Sequence, residues 1–122
     1  MSCYETLRRQ QDFDRVFQQG KWRRTRAFAL GVFKRGDGDP ARVGFVAGRG
    51  TGKSVQRNRA RRRLREAFRQ VVERPVAGAD VVVLARGRVL DIKFAELTVE
   101  MLKQVDEAGL LAGAAGSGDC QE

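Results

Sequence analysis

Eight of the seventeen residues from Lys53 to Arg69 are basic, and Glu66 is the sole acid among them. Seven of the eight are arginines, which repel one another at this density unless an anion neutralises them. A guanidinium fork donates paired hydrogen bonds to phosphate oxygens and stacks on bases, so the segment suits binding of a polyanion. Ala60, Leu64, Ala67, Phe68 and Val71 recur at helical spacing within it and mark an apolar stripe on a helix spanning 55–73. Asn58, Arg59, Arg62, Arg65, Glu66 and Arg69 project from the other side, with Arg61 and Arg63 at the flanks. The pattern says nucleic acid without saying which one.

The loop before this helix, Ala47-Gly48-Arg49-Gly50-Thr51-Gly52-Lys53-Ser54, fits a relaxed phosphate-binding loop with alanine in place of the first glycine. Three features weigh against a nucleotide site. The following helix is loaded with arginine. The later apolar strand ends Leu84-Ala85-Arg86, with no aspartate to hold magnesium. The chain also has too few strand–helix repeats for a nucleotide-hydrolysing core. Backbone N–H groups of such a loop can still meet a phosphate belonging to RNA. The competing readings are a small nucleotide-binding enzyme and a structural RNA-binding protein of the ribosomal kind.

There is no histidine and there are three serines, which rules out Ser-His and Cys-His nucleophilic chemistry. Cys3 and Cys120 lie at opposite ends without metal-ligand spacing, so no zinc site and a reduced, cytoplasmic setting are expected. No long apolar run reads as a membrane span, and no membrane partner is expected. The carboxylates are scattered. Net charge is +9, and its distribution is lopsided: residues 1–20 balance, 21–69 carry a net +13, and 70–122 carry a net −4. A basic centre with an acidic C-terminal part implies one charged face toward a polyanion.

These residues need elements to position them. Leu7 to Gly20 reads as a short amphipathic helix with Phe13, Val16 and Phe17 on one face and Gly20 as its stop. Lys21 to Arg26, containing Trp22, is either a short strand or a connection. Ala27 to Lys34 reads as a strand; the turn Arg35 to Pro40 leads to a second strand, Arg42 to Ala47, and the two are expected to pair as an antiparallel hairpin. Asp80 to Ala85 is a continuous apolar run suited to a central strand. Phe94 to Ala108 reads as a last helix. One domain over 1–108 is expected, followed by a flexible Gly/Ala-rich tail over 109–122.

The ordered set of motifs resembles the protein component of bacterial ribonuclease P. Gln11-Asp12-Phe13-Asp14-Arg15-Val16-Phe17-Gln18-Gln19-Gly20 is similar to that family's D-F-x-x-V-F-x-x-G opening. Arg42-Val43-Gly44-Phe45-Val46 resembles its R-V-G-F strand, and Thr51-Gly52-Lys53-Ser54-Val55 its x-G-x-A-V loop. Arg57-Asn58-Arg59, continuing through Arg69, resembles its R-N-R helix, and Asp80 to Arg86 its next strand. The likeness runs from about Leu7 to Leu102. Two departures stand out: Ala47-Gly48-Arg49-Gly50 replaces a lysine-bearing loop, and Gly31 stands where some members carry an aromatic, a place Phe28 or Phe33 could fill.

The resemblance implies an α/β (α+β) single domain, a two-layer sandwich whose mainly antiparallel central sheet has about four strands and is joined by three helices. It also implies a left-handed βαβ crossover, against the usual preference. It implies a subunit of an endoribonuclease that removes the 5′ leader of precursor tRNA by hydrolysing one phosphodiester bond. The RNA subunit would carry the chemistry with Mg2+, and no side chain of the protein would be catalytic or hold a metal or nucleotide cofactor. The expected partners are ribonuclease P RNA and precursor tRNA. Arg49, Lys53, Arg57, Asn58, Arg59, Arg61, Arg62, Arg65 and Arg69 are the expected RNA-binding residues, and Phe13, Phe17 and Phe28 the expected lining of a cleft for the leader.

Overall fold

Seven consecutive residues, Ala79–Ala85, form a strand with hydrogen-bonded neighbours on both sides, and the rest of the fold is arranged around it. The computed structural model describes residues 4–48, 51–72 and 75–110. In chain order the elements are β1 (Glu5–Thr6), α1 (Gln10–Gln19), β2 (Lys21–Arg24), β3 (Phe28–Lys34), β4 (Arg42–Val46), α2 (Ser54–Val71), β5 (Ala79–Ala85) and α3 (Phe94–Glu107). The sheet order is β1-β4-β5-β3-β2. β1, β4 and β5 run parallel, whereas β5, β3 and β2 pair antiparallel.

The sheet therefore has five strands and is mixed, one strand more and less antiparallel than expected. β3 and β4 do not form a hairpin. β5, apolar apart from Asp80 and almost wholly buried, takes the place between them, because the centre of the sheet is covered on both faces. Helices lie on both faces, which makes three layers rather than two. Phe28, Leu30, Val43, Val81 and Val83 face α2 and α3 and pack with Leu64, Phe68, Leu97 and Met101. Each of these large buried side chains contributes about 2 kcal/mol of apolar transfer. Val82 faces the other way and packs with Leu7 and with Val16 of α1.

The connection from β4 over α2 to β5 is left-handed. Viewed from the α2 side with β4 running upward, Val43 points at the viewer, and its L-configuration then aims its carbonyl to the right. That carbonyl accepts from the Leu7 N–H at 3.0 Å, so β1 lies to the right of β4 and β5 to the left. A crossover that passes in front of the sheet and moves left has the rare hand.

At the C-terminal end, Leu110 is 0% exposed and its carbonyl accepts from the Val76 N–H at 2.8 Å. Gly109, at φ +74°, makes the turn that delivers it. Both residues belong to the packed domain, which extends past the expected boundary at 108. The remainder of the expected tail lies outside the described residues.

Candidate nucleic-acid interface

Helix α1 crosses the sheet along a single row of paired residues: Gly44 of β4, Val82 of β5, Gly31 of β3 and Trp22 of β2. The two glycines make this possible. A Cβ on Gly44 would come within 2.6 Å of the Phe13 ring, and one on Gly31 within 2.5 Å of the Trp22 indole. Gly20 ends the helix for a similar reason, since a Cβ there would meet the Val16 carbonyl oxygen at 2.5 Å.

The two flanks of α1 differ in chemistry. Asp12 and Arg15 are on one: Asp12 accepts from Arg42 Nη1 at 3.0 Å, and the Arg15 guanidinium lies 5.7 Å from the Phe33 ring centre. Phe13 and Phe17, four residues apart, share the other flank. It overlooks the next row of the same sheet face, made by Val46, Leu84, Ala29 and Arg24. Val46 and Leu84 are half-buried and Arg24 is exposed. The result is a cleft with an aromatic wall, an apolar floor and a cationic end. Phe17 is 45% exposed and stacks on Trp22, with ring centres 5.2 Å apart and planes 18° from parallel.

Further cations gather where this floor ends. Arg86 comes two residues after Leu84, just past the end of β5. Backbone hydrogen bonds from Arg86 N–H to the Ala27 carbonyl (2.9 Å) and from Arg88 N–H to the Arg26 carbonyl (3.3 Å) tie the β5–α3 connection to the β2–β3 turn. Arg24, Arg26, Arg86 and Arg88 are all exposed there, and none is ion-paired among the described residues.

Helix α2 supplies the second basic surface. Asn58, Arg62, Arg65 and Arg69, at i, i+4, i+7 and i+11, form an exposed strip about 16 Å long, with Arg59 beside it. Arg65 extends over the Phe45 ring at 5.7 Å, and Arg69 pairs with Glu66 at 2.5 Å. Arg61 donates to the Asn58 side-chain oxygen, and Arg57 to Ser54 Oγ at 3.3 Å. Lys53 is exposed at the N-cap, where its backbone N–H donates to Gln56 Oε1 at 2.7 Å. Arg63 turns inward and donates to the carbonyls of Val89 (3.0 Å) and Ile92, so it belongs to the scaffold. Tyr4 packs edge-on to Phe68 beneath this strip; burial pushes its phenol above the usual range, against the pull of Arg69 and Arg65.

A family model described as Ribonuclease P matches residues 1–109. The chain belongs to the ribonuclease P protein family. The ribonuclease P protein component of Symbiobacterium thermophilum is 46% identical over 99 residues, covering 81% of this chain and 86% of the relative. That of Gluconacetobacter diazotrophicus is 38% identical, covering 85% and 90%. Among solved structures, the ribonuclease P protein of Thermotoga maritima superposes with a TM-score of 0.70 at 30% identity, covering 84% of this chain and 96% of that one. A Staphylococcus aureus ribonuclease P protein mutant reaches 0.76 at 23% identity over 87% and 89%, a likeness of fold.

Placed on this ribonuclease P protein fold, the expected residues separate into three groups. Phe13 and Phe17 are on the cleft wall. Lys53, Arg57, Asn58, Arg59, Arg61, Arg62, Arg65 and Arg69 are together on α2 and its start, while Arg49 lies outside the described residues. Phe28 is not in the cleft: it is 0% exposed and packs on the α2–α3 side of the sheet. The alternation of β3 decides this, since Ala29, Gly31 and Phe33 take the α1 face and Phe28, Leu30 and Val32 the other. Phe33 does reach the α1 face but sits under Arg15, on the flank away from the open floor. The aromatic at the Gly31 position comes instead from Trp22 on the neighbouring strand. A lone tryptophan within a basic segment, facing a glycine in β3, was the available signal. The four arginines at the sheet end were harder to find, because 24–26 and 86–88 are far apart in sequence.

Proposed function

We propose that this protein, as a ribonuclease P protein component, binds ribonuclease P RNA and holds the 5′ leader of precursor tRNA beside it. The supporting observation is the division of the molecule into two basic surfaces of different character. The α2 strip is a line of cations without exposed rings, suited to phosphates of a folded RNA. The α1 cleft combines the exposed Phe17 ring and the half-buried rings of Phe13 and Trp22 with an apolar floor and an arginine cluster, which suits an unpaired strand with splayed bases. A left-handed crossover also separates the glycine loop from the right-handed βαβ units that cradle nucleotides elsewhere.

The chemistry in this reading belongs to the RNA subunit, which supplies Mg2+ to the hydrolysis. The chain has no histidine, and among the described residues the buried acids, Asp12 and Asp80, are engaged by arginines. Among the described residues, no three His, Cys, Asp or Glu side chains cluster as a metal site. The protein's part is electrostatic and positional. It lowers repulsion between two RNAs and presents the leader in one path.

Cleavage of a precursor tRNA by a bacterial ribonuclease P RNA at low Mg2+, with and without the protein, tests this reading. Strong stimulation with a cut at the mature 5′ end is expected. Folded protein that leaves the rate unchanged, with RNA from a closely related bacterium, would overturn it. Phe17→Ala separates the two surfaces: it is expected to weaken binding of leader-bearing precursor and to spare mature tRNA.

A further inference from the structure

Trp22 is the chain's single tryptophan, and a glycine on the next strand makes its place. Gly31 is its pairing partner in β3. With any side chain at 31, a Cβ would meet indole Cε2 and Cζ2 at 2.5 Å, so the ring can lie on the sheet only because residue 31 is glycine. Indole Nε1 donates to the Val16 carbonyl in the last turns of α1 at 3.1 Å. The indole is thus fixed from below by the sheet and from the side by the helix backbone. The Phe17 ring then stacks on it, 5.2 Å between centres, and is still 45% exposed. One face of that ring rests on the indole while the ring's outer side stays open to the cleft.

We propose that Trp22 and Phe17 act as one unit in leader recognition, with the indole holding the Phe17 ring flat as the stacking surface for a nucleobase. The proposal rests on the leader-binding reading above and adds a positioning residue to it. A phenylalanine on the outer flank of a helix samples several rotamers when nothing backs it, and stacking a base would then have to order the ring first. The indole removes that cost by fixing the ring in advance. Its own anchors, Gly31 and the Val16 carbonyl, lie outside the base's reach.

The test uses the holoenzyme reconstituted with ribonuclease P RNA, comparing affinities for leader-bearing precursor and mature tRNA. Trp22→Ala and Phe17→Ala are each expected to lower precursor affinity about tenfold, the scale of one stacked base, and to leave mature tRNA unchanged. The double variant is expected to lose little more than the worse single one, because a ring without its backing has already lost its function. Trp22→Phe, which keeps a ring over Gly31, is expected to recover most of the affinity. Additive losses, or equal losses with mature tRNA, overturn the proposal. A second measurement needs no variant. The RNA contains no tryptophan, so the indole emission of the complex reports Trp22 alone. Saturating leader-bearing precursor is expected to change this emission, and mature tRNA is not. Unchanged emission while a labelled leader is demonstrably bound overturns the role of Trp22 and leaves leader binding intact. A wild-type holoenzyme with no preference for the leader removes the underlying reading, and this proposal with it.

Discussion

Arg42 and Asp80 face each other across the parallel β4–β5 pair, and the guanidinium grips the carboxylate in two places, Nε to Oδ1 at 2.9 Å and Nη2 to Oδ2 at 2.8 Å. Asp80 is fully buried and also accepts from Arg35 Nη1. The third nitrogen of Arg42 donates to Asp12. One network therefore ties α1, β4, β5 and the end of β3 together. Hydrogen bonds to Asp80 hold the Arg42 guanidinium above its usual range. The network secures the flank of α1 opposite Phe13 and Phe17, and so sets how far the aromatic wall stands from the cleft floor.

Asp80→Asn is expected to cost about 3 kcal/mol, because it leaves two arginines facing a neutral amide at a fully buried position. Urea unfolding of the isolated protein measures it. A loss below about 1 kcal/mol would show that water or Asp12 replaces the carboxylate, on the scale of an exposed pair.

How much of this was legible in the sequence depended on the range of the interactions involved. The α2 stripe and the apolar β5 run are local patterns, and both elements form nearly as the spacing indicates. Phe13 and Phe17 were placed on one helix face by the same logic. The pairing of β4 was not legible, because a short turn from Arg35 to Pro40 suggests a hairpin and nothing nearby shows that β5 will insert between the strands. The face taken by Phe28 depends on the register of β3 against β5, where a shift of one residue exchanges Phe28 and Ala29. The role of Arg63 was hidden for a related reason: its acceptors, the Val89 and Ile92 carbonyls, belong to a connection 26 and 29 residues later.

Acid should reveal the Arg35–Asp37 pair. Arg35 donates to Asp37 from Nε and Nη2 at 3.0 Å each, and this holds the Asp37 carboxyl below the usual carboxylate range. A lowered folded-state value means that the stabilisation is complete above the unfolded value of about 4 and is lost as pH falls through the folded one. The stability difference between wild type and Asp37→Asn is therefore expected to be constant from neutrality to about pH 5 and to shrink below it. Urea midpoints taken between those limits and about pH 3 check this, and a pH-independent difference would mean the pair contributes nothing.

Two kinds of arginine on α2 should separate experimentally. Arg63→Ala leaves two carbonyls without their donor and is expected to lower stability by about 1–3 kcal/mol, with the salt dependence of RNA binding unchanged. Arg59→Ala combined with Arg62→Ala is expected to do the reverse. Stability should stay within about 0.5 kcal/mol, and the slope of log affinity against log salt for ribonuclease P RNA should flatten by about 2. An unchanged slope in the double variant would remove the α2 strip from the RNA interface.

The arginines at the sheet end carry the last prediction. Arg24, Arg26, Arg86 and Arg88 come from two connections held together by backbone hydrogen bonds, so their closeness is built into the fold. Arg26 and Arg88 share a hollow with Asp91, Glu96 and Glu100 but pair with none of them among the described residues, so their guanidinium groups stay available to a bound polyanion. The cleft floor leads to them from Phe17, which places them where the leader's phosphates would run once a base has stacked. Arg26→Gln with Arg88→Gln is expected to flatten the salt slope for leader-bearing precursor by about 1.4, the single-strand value for two phosphates, while mature tRNA binding keeps its slope. Equal flattening for both RNAs would mean that the cluster contacts the tRNA body or the RNA subunit, and that the leader leaves the cleft before reaching it. Urea unfolding should show the double variant within about 0.5 kcal/mol of wild type, because the substitutions remove no buried contact and no ion pair among the described residues.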